Sequence, residues 1–248
     1  MIPSPIHKAL LTFQKCSAQF LLMGGQACIL YGAAEFSRDL DLSVDIDERS
    51  LDSVSVALKE LQAETIFVPP LEAAALSRGH ACHFRCHTPG AEGLRIDIMS
   101  RMRGCDDFES LWRRRSVVHL PEIGDVGVLS LPDLVRAKKT QREKDWPMIR
   151  RLIEADVLHN RSTPTDDQLR FWFLECRTPS ELVRLAKEHS QLCRLLLAER
   201  PLLEHAISRN ESFLQSALLD EELKERERDR EYWRPLRSEL ERWRREPH

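Results

Sequence analysis

The sequence predicts an α/β (α+β) protein: a mixed sheet flanked by helices over residues 1–158, followed by an all-helical region over residues 165–248. Three observations carry this expectation. Residues 20–46, FLLMGGQACILYGAAEFSRDLDLSVDI, read as an apolar strand, paired glycines, a short helix and a second strand. Residues 82–87 and 94–99 are two alternating runs joined across Thr88-Pro89-Gly90, a turn-forming sequence that favours a hairpin. After Ser130 the strand-like runs stop and only helical spacing continues.

The elements follow in order. Residues 5–18 form an opening helix, with Ile6, Leu10, Leu11 and Phe13 at helical spacing. Strands over 20–23 and 39–46 flank a helix over 26–33. Asp47 or Ser50 can cap the next helix, 51–61, whose Leu51, Val54, Leu58 and Leu61 make one stripe. A short strand over 65–68 ends at Pro69-Pro70, and the hairpin follows. Residues 108–114 are helical, and 117–120 and 126–129 are short strands around Gly124. Ser130 can cap a helix over 131–152 with Asp133 in its first turn. Pro147 divides that stretch in two, because an interior proline removes a hydrogen bond and clashes with the preceding turn. A linker over 159–164 leads to helices over 165–176, 179–188, 191–198, 201–208 and from 211 onward.

In the last segment acids and bases nearly balance, many at i, i+3 or i+4. It is expected to be a solvated or partner-facing helix, kinked at Pro235 and a candidate for oligomerisation. Tyr232, Trp233 and Trp243 are expected to dock it onto the body or a second subunit.

At 248 residues, 42% hydrophobic and 31% charged, the chain has the composition of a soluble protein able to bury a core. A net charge of −3 gives no global attraction to nucleic acid or anionic membranes. No apolar run approaches the roughly 20 residues needed to span a bilayer. The N-terminus has no basic region followed by a long apolar stretch. Seven scattered cysteines fit reduced thiols rather than a disulfide framework, so a cytoplasmic location is expected.

The chemistry concentrates in residues 20–46. Side chains alternate across a strand, so Asp39 and Asp41 share a face while Leu40, Leu42, Val44 and Ile46 take the other. Adjacent carboxylates repel, and a cation between them relieves the repulsion. Gly24 and Gly25 close a strand and open a helix, where unpaired N–H groups can hold phosphate oxygens. Phosphate and divalent metal side by side point to chemistry on a nucleoside triphosphate. The run HACHFRCH, residues 80–87, splits its ligands between two strand faces, which disfavours zinc. No Walker-type loop and no Ser-His-Asp or Cys-His set is apparent.

Met23-Gly24-Gly25, the pair in Asp39-Leu40-Asp41-Leu42, and Asp97 within Leu94-Arg95-Ile96-Asp97-Ile98-Met99 together resemble the DNA polymerase β-like nucleotidyltransferase superfamily. The resemblance covers roughly the first 155 residues. It is strongest to the bacterial branch of abortive-infection and type IV toxin–antitoxin nucleotidyltransferases, which also carry Gly-Gly and a later Lys…Arg…Asp helix, here Lys138, Arg142 and Asp145. The resemblance implies Mg²⁺ (or Mn²⁺) held by Asp39, Asp41 and Asp97. It implies a triphosphate such as ATP contacted by Gly24, Gly25, Arg38, Lys138 and Arg142. The expected activity is transfer of a nucleoside monophosphate to a hydroxyl of RNA, protein or a small molecule, with a toxin paired to an antitoxin protein as one version. Relatives often place an arginine a few residues before Asp-x-Asp, where this chain has Glu35. Either Arg38 takes that role towards phosphate or the contact is absent; the alternative function is a non-catalytic nucleotide- or partner-binding module that retains the fold.

Overall fold

The structure, a computed structural model, describes residues 4–34 and 36–245; Glu35 and the expectations attached to it lie outside the described residues. The described residues form two compact units. The first holds those up to Leu30, Ala34–Ala137 and those from Glu231 onward; the second holds Tyr31–Ala33 and Lys138–Arg230.

The first unit is built on a seven-stranded mixed sheet. Its strands are β1 (Phe20–Met23), β2 (Leu40–Val44), β3 (Glu64–Phe67), β4 (Cys82–Arg85), β5 (Arg95–Met99), β6 (Ser116–Leu120) and β7 (Gly124–Val128), in the order β3-β4-β5-β2-β1-β7-β6. β2 is central, antiparallel to β1 and parallel to β5. The expected hairpin is present, with β4 antiparallel to β5. Leu40, Leu42 and Val44 are fully buried beside Leu22, Ile96 and Ile98, as the alternation requires. Helices α1 (Ser4–Lys15) and α3 (Glu48–Glu60) contact each other, and Ile6, Leu10, Phe13, Val54 and Leu58 are buried. Asp47 caps α3 by accepting from Ser50 N at 3.1 Å. The short α2 (Gly24–Leu30) starts at the glycines themselves, two residues before its expected start. α4 (Ala73–Arg78), α5 (Phe108–Arg113) and α6 (Leu131–Ala137) complete the unit together with the end of the last helix. Trp243 lies 4.8 Å from the His80 ring and 5.4 Å from the Arg78 guanidinium, the docking role expected of it.

The second unit holds α7 (Asp145–Asn160), α8 (Asp166–Glu175), α9 (Pro179–Glu188), α10 (Ser190–Leu195), a 3₁₀ turn (Leu196–Ala198), α11 (Leu203–Ile207) and α12 (Glu211–Trp243) up to Arg230. Thr165 and Gln168 form a capping box at α8. Arg200, 4% exposed, donates to the carbonyls of Phe173 and Cys176 and to Glu221, tying α8 to α12.

Two boundaries differ from the sequence expectation. The helix expected to break at Pro147 breaks instead over residues 138–144. Asp145, its side chain 5% exposed, gathers Lys138 Nζ (3.4 Å), Thr140 Oγ1 (2.6 Å) and Arg142 Nε (2.8 Å), which folds the connection into a tight turn. Pro147 then falls in the first turn of α7, where a missing N–H leaves no intrahelical bond unmade. The division between units likewise lies at 137/138 rather than at 158/165. α7 packs with α8, and Trp172 Nε1 donates to Asp156 at 2.6 Å, so the short loop over 161–165 joins two helices of one unit.

Candidate functional site

The parallel pairing of β2 with β5 sets Asp41 directly opposite Asp97, on the same face of the sheet. Parallel neighbours lie about 4.8 Å apart, so at an effective dielectric of 20 two such carboxylates repel by roughly 3 kcal/mol. Asp39, expected inside the strand, sits one residue before β2. The antiparallel pairing of β4 with β5 adds His83 opposite Asp97, on the same face. Arg95, two residues before Asp97 on β5, completes the group.

Arg95 Nε donates to Asp97 Oδ1 at 2.7 Å. His83 Nδ1 lies 2.8 Å from the same oxygen and 3.1 Å from Arg95 Nη2. The shorter contact and the carboxylate's charge favour the tautomer in which Nδ1–H donates to Asp97. Burial by itself would raise the Asp97 carboxyl; the bonds from His83 and Arg95 outweigh it and hold Asp97 below the ordinary carboxylate value. The Arg95 guanidinium is raised above its ordinary value, first by its bond to Asp97 and further by the charges of Asp97, Asp39 and Asp41, against a lowering effect of burial. Asp97 bonds Arg95 directly, and the charges of Asp39 and Asp41 add to the basicity of that guanidinium.

The glycine turn is fitted to this group. Gly24 has φ +63°, and a Cβ there would stand 1.9 Å from Asp41 Oδ2. A Cβ on Gly25 would stand 2.3 Å from Ser37 Oγ. Gly25 N lies 3.4 Å from Asp41 Oδ2, so the turn's N–H faces the carboxylate. Only glycine lets Asp41 lie so close to the start of α2. Arg38 is exposed and stacks its guanidinium over the Phe36 ring at 5.7 Å.

The spacing of Lys138 and Arg142 predicts one shared helical face, but both lie outside the helices, between α6 and α7. They flank the turn before α7, and both pair with Asp145 within the second unit. Desolvation raises the Asp145 carboxyl, but Lys138, Thr140 and Arg142 together hold it below its ordinary value.

Among the described residues, no three His, Cys, Asp or Glu side chains are gathered into a metal cage. Cys82 and Cys86 are buried in the core, and burial pushes both thiols up to about 11. The donor set at Asp41 and Asp97 nevertheless fits Mg²⁺ or Mn²⁺ in kind. Mg²⁺ commonly takes one or two carboxylates and completes its octahedron with water and substrate phosphate. Two carboxylates in lateral register beside a turn that admits no side chain offer that arrangement.

His83 and Arg95 are the residues that sequence reasoning missed. Alternation places His83 on the face opposite Cys82, but only the pairing of Cys82 with Ile98 sets His83 against Asp97.

No protein-family model matches the chain, and no curated protein matches it. Among solved structures it is similar to a crystal structure from H. pylori provisionally named a nucleotidyltransferase. The identity is 15% and the TM-score 0.40, with 91% of this chain and 94% of that chain covered. No helix of the described residues is long and apolar enough to cross a membrane.

Proposed function

We propose that the chain is a metal-dependent nucleotidyltransferase that moves a nucleoside monophosphate from a triphosphate to an acceptor hydroxyl. The observation that carries this is the lateral pairing of Asp41 with Asp97, beside a Gly24 whose missing side chain makes room for Asp41. Mg²⁺ or Mn²⁺, when bound, supplies charge neutralisation at the phosphates and lowers the pKa of a hydroxyl near it. Asp41 would be the shared ligand, Asp39 would serve the triphosphate side, and Asp97 would serve the acceptor side. Asp97 also accepts the acceptor hydroxyl's proton as its oxygen attacks the α-phosphorus. The backbone turn at Gly24 and Gly25 lies against Asp41, where a metal-held triphosphate would run and from which pyrophosphate would leave. Arg38, exposed at the approach to Asp39, is a candidate for steering the triphosphate by charge. The acceptor, whether RNA, protein or a small molecule, and a pairing with an antitoxin protein belong to the same proposal at a finer level.

A second function is favoured by one specific observation. Asp97 is bonded to both Arg95 and His83, so its own charge is matched within the chain. A non-catalytic nucleotide- or partner-binding module would keep such a closed arrangement. Incubation with α-labelled triphosphates and cell extract separates the two. A transferase labels an acceptor, and Asp41→Asn, which keeps size and removes charge, abolishes the label while the fold persists. Tight nucleotide binding with no label from any of the four triphosphates establishes the module instead.

A further inference from the structure

We infer that Arg95 is a built-in counter-ion that holds the carboxylate group together in the metal-free protein and competes with a divalent cation for Asp97. The inference rests on the metal site proposed above and adds a residue that governs when that site fills. Its basis is geometric. Arg95 leaves the same strand as Asp97, two positions earlier, so both side chains rise from one face. The guanidinium bonds Asp97 Oδ1 at 2.7 Å and is raised in basicity by Asp39 and Asp41 as well. His83 bonds the same oxygen from β4 and fixes the carboxylate where Arg95 can reach it.

The chemistry follows from what a guanidinium is. It carries one delocalised charge in a planar fork, stays protonated at any relevant pH and offers hydrogen bonds that orient a carboxylate. A divalent ion carries twice the charge but must shed water to bind. The two therefore compete for one oxygen, and metal affinity is set by the difference between them. The Arg95 side chain is 35% exposed, against 16% for Asp97, so it can swing toward solvent while the carboxylate stays in place. Metal arriving with a triphosphate is favoured over metal alone, because the phosphate charge gives Arg95 a new partner as it leaves Asp97.

Mn²⁺ titration of the full chain, followed by the paramagnetic signal of the free ion, tests this. Arg95→Gln should bind Mn²⁺ about tenfold more tightly than wild type, because a competing charge beside the ligands is gone. Arg95→Lys, which keeps the charge and loses the fork, should fall between them. Without metal Arg95→Gln should melt below wild type, and saturating Mn²⁺ should restore it. Arg95→Met keeps the unbranched stem and serves as a second neutral variant if the glutamine variant does not fold. Wild type binding Mn²⁺ while neither neutral variant binds it more tightly overturns the counter-ion role alone. No Mn²⁺ binding by any of these proteins, wild type included, overturns the metal site and this inference together.

Discussion

Replacing Gly24 with alanine probes the fit between the glycine turn and Asp41. The residue has φ +63°, a conformation that costs an L side chain about 1–2 kcal/mol. The new Cβ would meet Asp41 Oδ2 at 1.9 Å, Cγ at 2.4 Å and Cβ at 2.6 Å. Rotating the Asp41 carboxylate relieves the first two contacts but not the third, since Asp41 Cβ is fixed on the central strand. The backbone must shift as well, at a cost of about 1–3 kcal/mol. The sum is about 2–5 kcal/mol, or about 5–15 °C in melting temperature for a chain of this size. Gly93→Ala supplies the control: φ is +75°, and nothing lies within 4 Å of a Cβ there. It should lose only the conformational strain of about 1–2 kcal/mol. Thermal unfolding of both variants, with Mn²⁺ binding as a second readout, gives the comparison. Gly24→Ala should lose metal binding and Gly93→Ala should keep it. Equal melting temperatures and equal Mn²⁺ affinity in the two variants would refute the claim that the turn is shaped around Asp41.

Two further outcomes follow from the charged interior. Arg200→Met should lower the melting temperature by several degrees, since it leaves the Phe173 and Cys176 carbonyls without their buried donor, at a cost of about 1–3 kcal/mol; a loss of under one degree would show that Arg177, which also meets Glu221 at 3.1 Å, suffices. Stability should also fall in acid. Against the raising effect of burial, Asp97, Asp133, Asp145 and Glu221 are all held below their ordinary values by hydrogen-bond donors and nearby cations. A depressed carboxyl contributes stability above its unfolded value near 4 and loses it as pH drops through the folded value. Melting temperatures should therefore decline below about pH 4; a rise in that range would contradict the pairing.

Much of the site could be read from spacing, because strand alternation is a strict rule. Asp41 and Asp97 each lie in a run of buried apolar neighbours, and both face away from Leu42 and Ile98. What spacing does not contain is register. The same two strands slid by one pair would put another residue opposite Asp97, so His83 could not be assigned to it beforehand, whereas Arg95, two positions earlier on the same strand, shares its face by alternation alone. The break before α7 was hidden for a different reason. Pro147 is the obvious breaker by local propensity, but a side-chain network centred on Asp145 decides where the helix begins. The membership of residues after Glu231 in the first unit was equally invisible in local pattern. It depends on long-range contacts such as His80 with Glu239 at 2.7 Å and with Trp243.

Calorimetric titration of a non-hydrolysable triphosphate, with Mg²⁺ and then with excess chelator, tests the central claim most directly. Asp41 and Asp97 on one face, with Asp39 beside them, carry more negative charge than Arg95 offsets, so they repel phosphate unless a further cation lies between them. Binding should be clear with Mg²⁺, at least about tenfold weaker in chelator, and lost with Mg²⁺ in Asp41→Asn. Equal affinity with and without the metal, or full binding by Asp41→Asn, would contradict a metal-bridged nucleotide site.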